Sequence, residues 1–240
     1  MIYPDWPAAA PVKAVTTTRS AGVSNAPYDS LNLADHVGDA AAAVRQNRLS
    51  IQHQLNLPRR PAWLNQVHGD TVVDAANSAE RPSADASFTD QTHVVCAVLT
   101  ADCLPVLFCD RSGTRVAAAH AGWRGLAGGV LESTVRALDT EPGRLMAWLG
   151  PAIGPGAFEV GEEVRQVFVE QHAEAVGAFL ARPHGHWLAD LYQLARIRLL
   201  ASGVTALYGG GFCTFADRQR FYSYRREGVT GRMASLIWRV

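Results

Sequence analysis

Residues 93–120 read HVVCAVLTADCLPVLFCDRSGTRVAAAH. Three short apolar runs, HVVCAVLT, PVLFCD and TRVAAAH, are separated by Asp, Pro, Ser and Gly and are rich in β-branched side chains. Runs of this length with these flanks predict buried strands rather than helices. RLMAWLG (144–150) and GVTALYG (203–209) read the same way.

Helical periodicity appears around them. Residues 40–57 place Val44, Ile51 and Leu55 on one side, with Asp39 as the expected N-cap. Residues 124–138 bring Leu126, Val130, Leu131, Val135 and Leu138 to one face. Residues 159–172 align Val160, Val164, Val167 and Phe168, and residues 187–202 align Leu188, Leu191, Leu194 and Leu199. Strands covered by helices predict a mixed α/β (α+β) sandwich, and several strands before each helix argue against a regular βα barrel. No repeat or low-complexity stretch divides the chain, so residues 1–240 read as a single domain.

Composition narrows the function. The chain is 48% hydrophobic and 18% charged, with 22 Lys+Arg against 22 Asp+Glu. Such a balance offers no basic field for nucleic acid or an anionic membrane surface. The opening residues MIYPDWPAAAPVK lack the pattern of a signal peptide, and no apolar run reaches membrane-spanning length. Four cysteines without a CxxC pair suit a reducing cytoplasm. No exposed apolar stripe marks a subunit interface.

Three residues at strand ends carry candidate chemistry: His68 in NQVHGD, Cys103 after Thr-Ala-Asp, and His120 at the end of VAAA. Two histidines and a thiolate are good zinc ligands, and three protein ligands leave a fourth tetrahedral position open. Cys96 and Cys109 lie inside apolar runs and read as small buried hydrophobes. Asp102 either orients a ligand or caps a turn. The glycines from Gly122 to Gly125 open a helix whose amides suit an anion or simply form a tight turn. Arg19, Arg225, Arg226 and Arg232 stand in loops, either as phosphate ligands or as solvated and ion-paired side chains.

The motifs TTTRSAGVS (16–24), YDSLNLADHVGD (28–39), NQVHGD (65–70), TADCLPVLF (100–108), AAAHAGWRGLAGGV (117–130), LGPAIGPGAFEVGEEV (149–164), LADLYQLAR (188–196) and YSYRREGVTGR (222–232) follow in order. Together they resemble the YfiH/YlmD-type family, also called laccase-domain or polyphenol-oxidase-like proteins. The resemblance implies one layered α/β/β/α domain and a zinc ion held by His68, Cys103 and His120. It further implies a purine nucleoside phosphorylase acting on adenosine, inosine, guanosine and methylthioadenosine with phosphate, and adenosine deaminase activity. On that reading Cys103, Asp102 and Arg19 are the catalytic candidates, with Asp102 as a candidate acid. Asn32, Gln66, Gly122 and Arg225 are the substrate-binding candidates. The sequence departs from the family pattern at Ala21 and Ala34, each replacing a glycine; alanine strains the loop wherever that glycine used a positive φ.

Of three rival functions, laccase chemistry is rejected, a thiol hydrolase is the more serious alternative, and the balanced charge and polar strand ends weigh against a non-catalytic interaction protein. A multicopper laccase needs several His-x-His pairs, and the eight histidines here form one, His184 with His186; copper in a His₂Cys group would be adventitious. A Cys103–His120 thiol hydrolase, acting on a peptidoglycan precursor as the family's editing role suggests, needs no third ligand. His68 therefore discriminates between the zinc and thiol readings.

Overall fold

A computed structural model describes residues 1–240. From the N-terminus it forms β1 (Val12–Thr16), α1 (Ala41–Gln54), β2 (Val72–Asp74), β3 (Ala86–Thr89), β4 (Val95–Thr100), β5 (Leu104–Asp110) and β6 (Val116–Ala121). Then come α2 (Trp123–Gly128), α3 (Val130–Ala137), β7 (Leu145–Leu149), β8 (Glu159–Val160), α4 (Glu162–Gln171), β9 (Phe179–Ala181) and β10 (Trp187–Ala189). The chain ends with α5 (Leu191–Ala201), β11 (Ala206–Gly209), α6 (Tyr224–Glu227) and β12 (Met233–Arg239).

The strands make a six-stranded sheet in the order β11-β7-β5-β6-β3-β2, a three-stranded sheet β1-β12-β4 and a smaller one, β8-β10-β9. The large sheet is mixed: β11 runs parallel to β7 and β2 parallel to β3, while the pairs between β3, β6, β5 and β7 are antiparallel.

Strand alternation decides the layers, because successive side chains leave a strand on opposite faces. On β5, β6 and β7, Val106, Phe108, Ala117, Ala119, Ala147 and Leu149 pack with Leu126, Leu131 and Leu199 of the helices. Their neighbours Leu107, Cys109, Val116, Ala118, Met146 and Trp148 meet Cys96, Val98 and Ile237 of the second sheet. The outer face of that sheet, with Val95, Ala97, Leu99, Ala234 and Leu236, packs against Ile51 of α1 and Leu31 and Leu33. The order is therefore helix, sheet, sheet, helices: the expected α/β/β/α sandwich.

Local readings shift where pairing or a backbone angle overrides periodicity. The helix expected over 124–138 is broken between α2 and α3 by Gly129 at φ 99°, a left-handed angle no helix interior accepts. The N-terminal ends of the helices expected over 159–172 and 187–202 are strands instead, β8 and β10, which pair through residues 159–160 and 187–188. Asp190 caps α5, its carboxylate accepting from the Tyr192 and Gln193 amides. Asp39 does not cap α1; Ala40 holds that position, and the Asp39 carboxylate instead accepts from Ser24 Oγ and Asn32 Nδ2. No helix is long and apolar enough to cross a membrane.

Candidate metal centre

The sheet brings the three ligand candidates together. His120 is the penultimate residue of β6 and lies across from Pro105 of β5. Cys103 occupies the turn between β4 and β5, just after Asp102 at φ 85°, and His68 sits at φ 61° in the loop before β2. Their ligand atoms all lie within 4.8 Å of one another. His120 is buried and Cys103 half-buried, whereas His68 is exposed, so the group opens to solvent on the His68 side.

Asp85, which the sequence reading passed over, fixes this geometry. It is fully buried, and its carboxylate accepts from the amides of Val67 (3.1 Å), His68 (3.0 Å) and Gly69 (2.7 Å). His120 Nδ1 lies 2.8 Å from the same carboxylate, and the His120 amide donates to the Asp85 carbonyl at 2.7 Å. A carboxylate hydrogen-bonded to three amides is an acceptor, so Nδ1–H is the donor and Nε2 is left with its lone pair free. One acid thus sets the tautomer of one histidine and the backbone of the loop that carries the other.

The electrostatics suit a cation. Burial raises the Asp85 carboxyl, but hydrogen bonds from His120 and from the Gly69 and Val67 amides outweigh it and hold the group below its ordinary value. Burial likewise raises the Cys103 thiol, yet the charge and hydrogen bonding of His120, with His68, bring it well below a free thiol. Burial lowers His120, but the facing Cys103 and Asp85 raise it. By contrast burial pushes Cys96 and Cys109 up to about 12, which matches their reading as inert apolar groups. A thiolate between two imidazoles, one backed by a carboxylate, is a donor set for a metal ion.

Glycines allow the close packing. A Cβ on Gly122 would lie 2.9 Å from Cys103 Sγ and 3.2 Å from His68 Cδ2. One on Gly125 would meet the Gly69 carbonyl at 2.8 Å. Gly122 therefore contributes absence of bulk beside the ligands, and α2 is a six-residue helix laid directly on the His68 loop.

The other expected site residues fall elsewhere. The Asp102 carboxylate is buried and accepts from Thr214 Oγ1 (2.6 Å), Ser223 Oγ (3.0 Å) and the Arg225 amide (2.7 Å). These three bonds clamp two C-terminal loops to the Cys103 turn. Arg19 is spent on Glu227 (2.8 Å), on the Asp29 carboxylate and carbonyl, and on the Arg218 carbonyl, with its guanidinium over Tyr222. Those contacts leave no free fork for phosphate. Arg226 pairs with the same Glu227, and the Arg225 side chain is exposed, donating to the Glu159 carbonyl. Asn32 uses its amide on Ala34, Asp39 and the Arg232 amide. Gln66 makes a strand-like pair of bonds with the Leu99 backbone, both 2.8 Å. The polar atoms of both side chains are thus engaged with other groups of the protein. The His184–His186 pair lies exposed in a separate loop, beside Glu159.

Comparison with known proteins agrees with this architecture. Residues 13–240 match the family described as "Multi-copper polyphenol oxidoreductase laccase". The chain is 62% identical over 239 residues to "Purine nucleoside phosphorylase PA4543" of Pseudomonas aeruginosa, covering 99% of this chain and 97% of that one. It is 53% identical to "Purine nucleoside phosphorylase YfiH" of Escherichia coli, covering 99% and 98%. The crystal structure of Neisseria meningitidis protein NMB0706 superposes with a TM-score of 0.96 at 56% identity, covering 99% of this chain and 98% of that one. The chain therefore belongs to the YfiH family of laccase-like proteins.

Proposed function

We propose that this chain is a zinc-dependent purine nucleoside phosphorylase acting on adenosine, inosine, guanosine and methylthioadenosine, and that the same centre deaminates adenosine. The observation that carries the reading is the convergence of His68, Cys103 and His120 within 4.8 Å, in a chain whose close relatives are named purine nucleoside phosphorylases. The donor set of two imidazoles and a thiolate, with Asp85 behind one of them, suits zinc. Only this one His-Cys-His group gathers in the structure, whereas a multicopper oxidase requires a cluster of His-x-His pairs. The convergence of His68 also favours a three-ligand centre over a Cys103–His120 hydrolase pair.

In phosphorolysis a phosphate oxygen bonds to C1′ of the ribose as the bond from C1′ to the purine breaks; the bonding pair leaves with the base, which takes up a proton. In deamination, water supplies the oxygen that replaces the C6 amino group, and ammonia departs. A bound zinc ion supplies Lewis acidity beside the reacting atoms. The chain's own contribution is positional. Asp85 holds Nε2 of His120 as a ligand and fixes the His68 loop, Gly122 keeps the approach to Cys103 clear, and Asp102 holds the C-terminal loops against the turn. Substrate enters on the exposed His68 side. Four free cysteines suit a reducing cytoplasm. Phosphate-dependent release of adenine from adenosine tests the reading, and phosphate-independent formation of inosine tests the deaminase.

A further inference from the structure

We propose that Arg232 is the phosphate anchor of this centre, because it is an enclosed guanidinium with a free donor fork and no acidic partner, standing beside the Asp102–Cys103 turn. The inference rests on the phosphorylase reading for the identity of the anion.

Four enclosed arginines are matched with acids: Arg19 with Asp29 and Glu227, Arg48 with Asp35, Arg198 with Glu132, Arg226 with Glu227. Such pairing is the rule, since an enclosed charge without a counter-charge is costly. Arg196 and Arg239, half-buried like Arg232, have no acid either and donate to backbone carbonyls. Arg232 is half-buried and forms no ion pair within 4.0 Å. Its Nη1 donates to the carbonyls of Thr230 (2.8 Å) and Gly231 (3.0 Å). Nε and Nη2 have no protein acceptor. Those two nitrogens lie on the same edge of the guanidinium, the edge that takes two oxygens of a phosphate side-on.

Its position is set by the sheet. Met233 of β12 pairs with Thr100 of β4 in an antiparallel register. The preceding residue, Arg232, therefore stands at the sheet end where the chain passes through Ala101 and Asp102 to Cys103. Its backbone is held on both sides: the Arg232 amide donates to Asn32 Oδ1 at 3.0 Å, and the Leu33 amide donates to its carbonyl at 3.3 Å. The Asn32 side chain, expected at the ligand, thus acts one step back by fixing the residue that reaches it. The Tyr224 ring lies 5.8 Å from the guanidinium carbon and forms part of its wall.

Burial pulls the Arg232 guanidinium down, and the first groups opposing this are Cys103 and Asp102. Both have other engagements, Cys103 as a metal ligand and Asp102 through its three hydrogen-bond donors. An incoming phosphate supplies the missing counter-charge and at the same time is delivered beside the metal centre.

The test compares wild type with Arg232→Gln and Arg232→Lys in the zinc-loaded protein. The readouts are KM for inorganic phosphate, KM for adenosine, zinc content, and broadening of the inorganic phosphate ³¹P resonance without nucleoside. The expected result for Arg232→Gln is a rise of about tenfold or more in phosphate KM, loss of the broadening, and unchanged adenosine KM and zinc content. Lysine restores part of the phosphate affinity. An unchanged phosphate KM in a turning-over enzyme overturns the Arg232 assignment and leaves the phosphorylase reading standing. Loss of zinc from both variants overturns it in favour of a structural role. Broadening by wild type that Arg232→Gln abolishes, with no nucleoside turnover in either, keeps the anion site and removes the phosphorylase.

Discussion

Asp85→Asn is the smallest change that separates positioning from ligation at the metal centre. Asparagine has almost the same shape, but one carboxylate oxygen becomes an NH₂ group. Oδ2 of Asp85 accepts from the Val67 and Gly69 amides, and Oδ1 from the His68 amide and His120 Nδ1. Whichever oxygen is replaced, two donors then face donors in a fully buried site. One escape exists: with the NH₂ on the Oδ1 side, His120 can move its proton to Nε2 and accept at Nδ1. That proton then occupies the nitrogen required for the metal, and the His68 amide is still orphaned.

Losing two hydrogen bonds to a buried charge costs about 1.5–3 kcal/mol each, so the folded state loses about 3–6 kcal/mol. For a chain of this size that is a fall in melting temperature on the order of 10 °C. Zinc affinity falls about 10- to 100-fold. Chelator competition and thermal melts of the apo and zinc-loaded proteins measure both effects. Zinc affinity within about threefold of wild type, together with an unchanged apo melting temperature, would falsify the assignment of Asp85 as the residue that fixes both histidines.

Two further outcomes follow from the loops around the site. Ala21 stands at φ 73° where the family pattern has glycine; an L-residue pays about 1–2 kcal/mol there, partly offset by the greater unfolded-state freedom of glycine. Ala21→Gly should therefore raise stability by about 0.5–1 kcal/mol in urea unfolding, and no gain would show that the loop relaxes around the alanine. Glu227 answers to pH. Burial raises its carboxyl, but Thr230, Arg19 and Arg226 together hold it at about 2 against an ordinary 4.5. Its folded value is depressed, so its contribution is complete above about pH 5 and is lost as pH falls through 4.5 toward 2. Allowing for solvent at the edge of the cluster, it amounts to about 2 kcal/mol. Glu227→Gln should lower the melting temperature at pH 7 and converge on wild type near the acid end; a constant difference across that range would refute the ionic origin.

The strands from 93 to 120 were legible because each carries its own signal, a short β-branched run bounded by turn residues. The three candidate ligands, which the fold gathers into one group, were legible as donor types at their ends. β1 and β12 were not read from the sequence, and their pairing is long-range: Thr16 meets Ser235. Asp85 escaped for the same reason. Its partner His120 is 35 residues away, and only the register of β3 on β6, Ala86 with Ala119, brings the two together. The isolated acid between Ala84 and Ala86 in PSADASF was the available sign, since an acid enclosed by small apolar residues needs donors around it. Asn32, Gln66 and Arg19 were expected at the ligand because their polar ends lie in motif segments. Sequence does not reveal that backbone groups and acids already occupy those ends. The strain at Ala21, by contrast, was readable from a single replaced glycine, whereas Ala34 adopts no positive φ and carries no such strain.

The most direct test is zinc content and adenosine turnover, with and without phosphate, in wild type and His68→Ala. The expected result is about one zinc per wild-type chain, with adenine and ribose-1-phosphate formed only when phosphate is present, and loss of both metal and turnover in the variant. A His68→Ala protein that keeps wild-type activity without zinc would contradict it and return the chemistry to the Cys103–His120 pair.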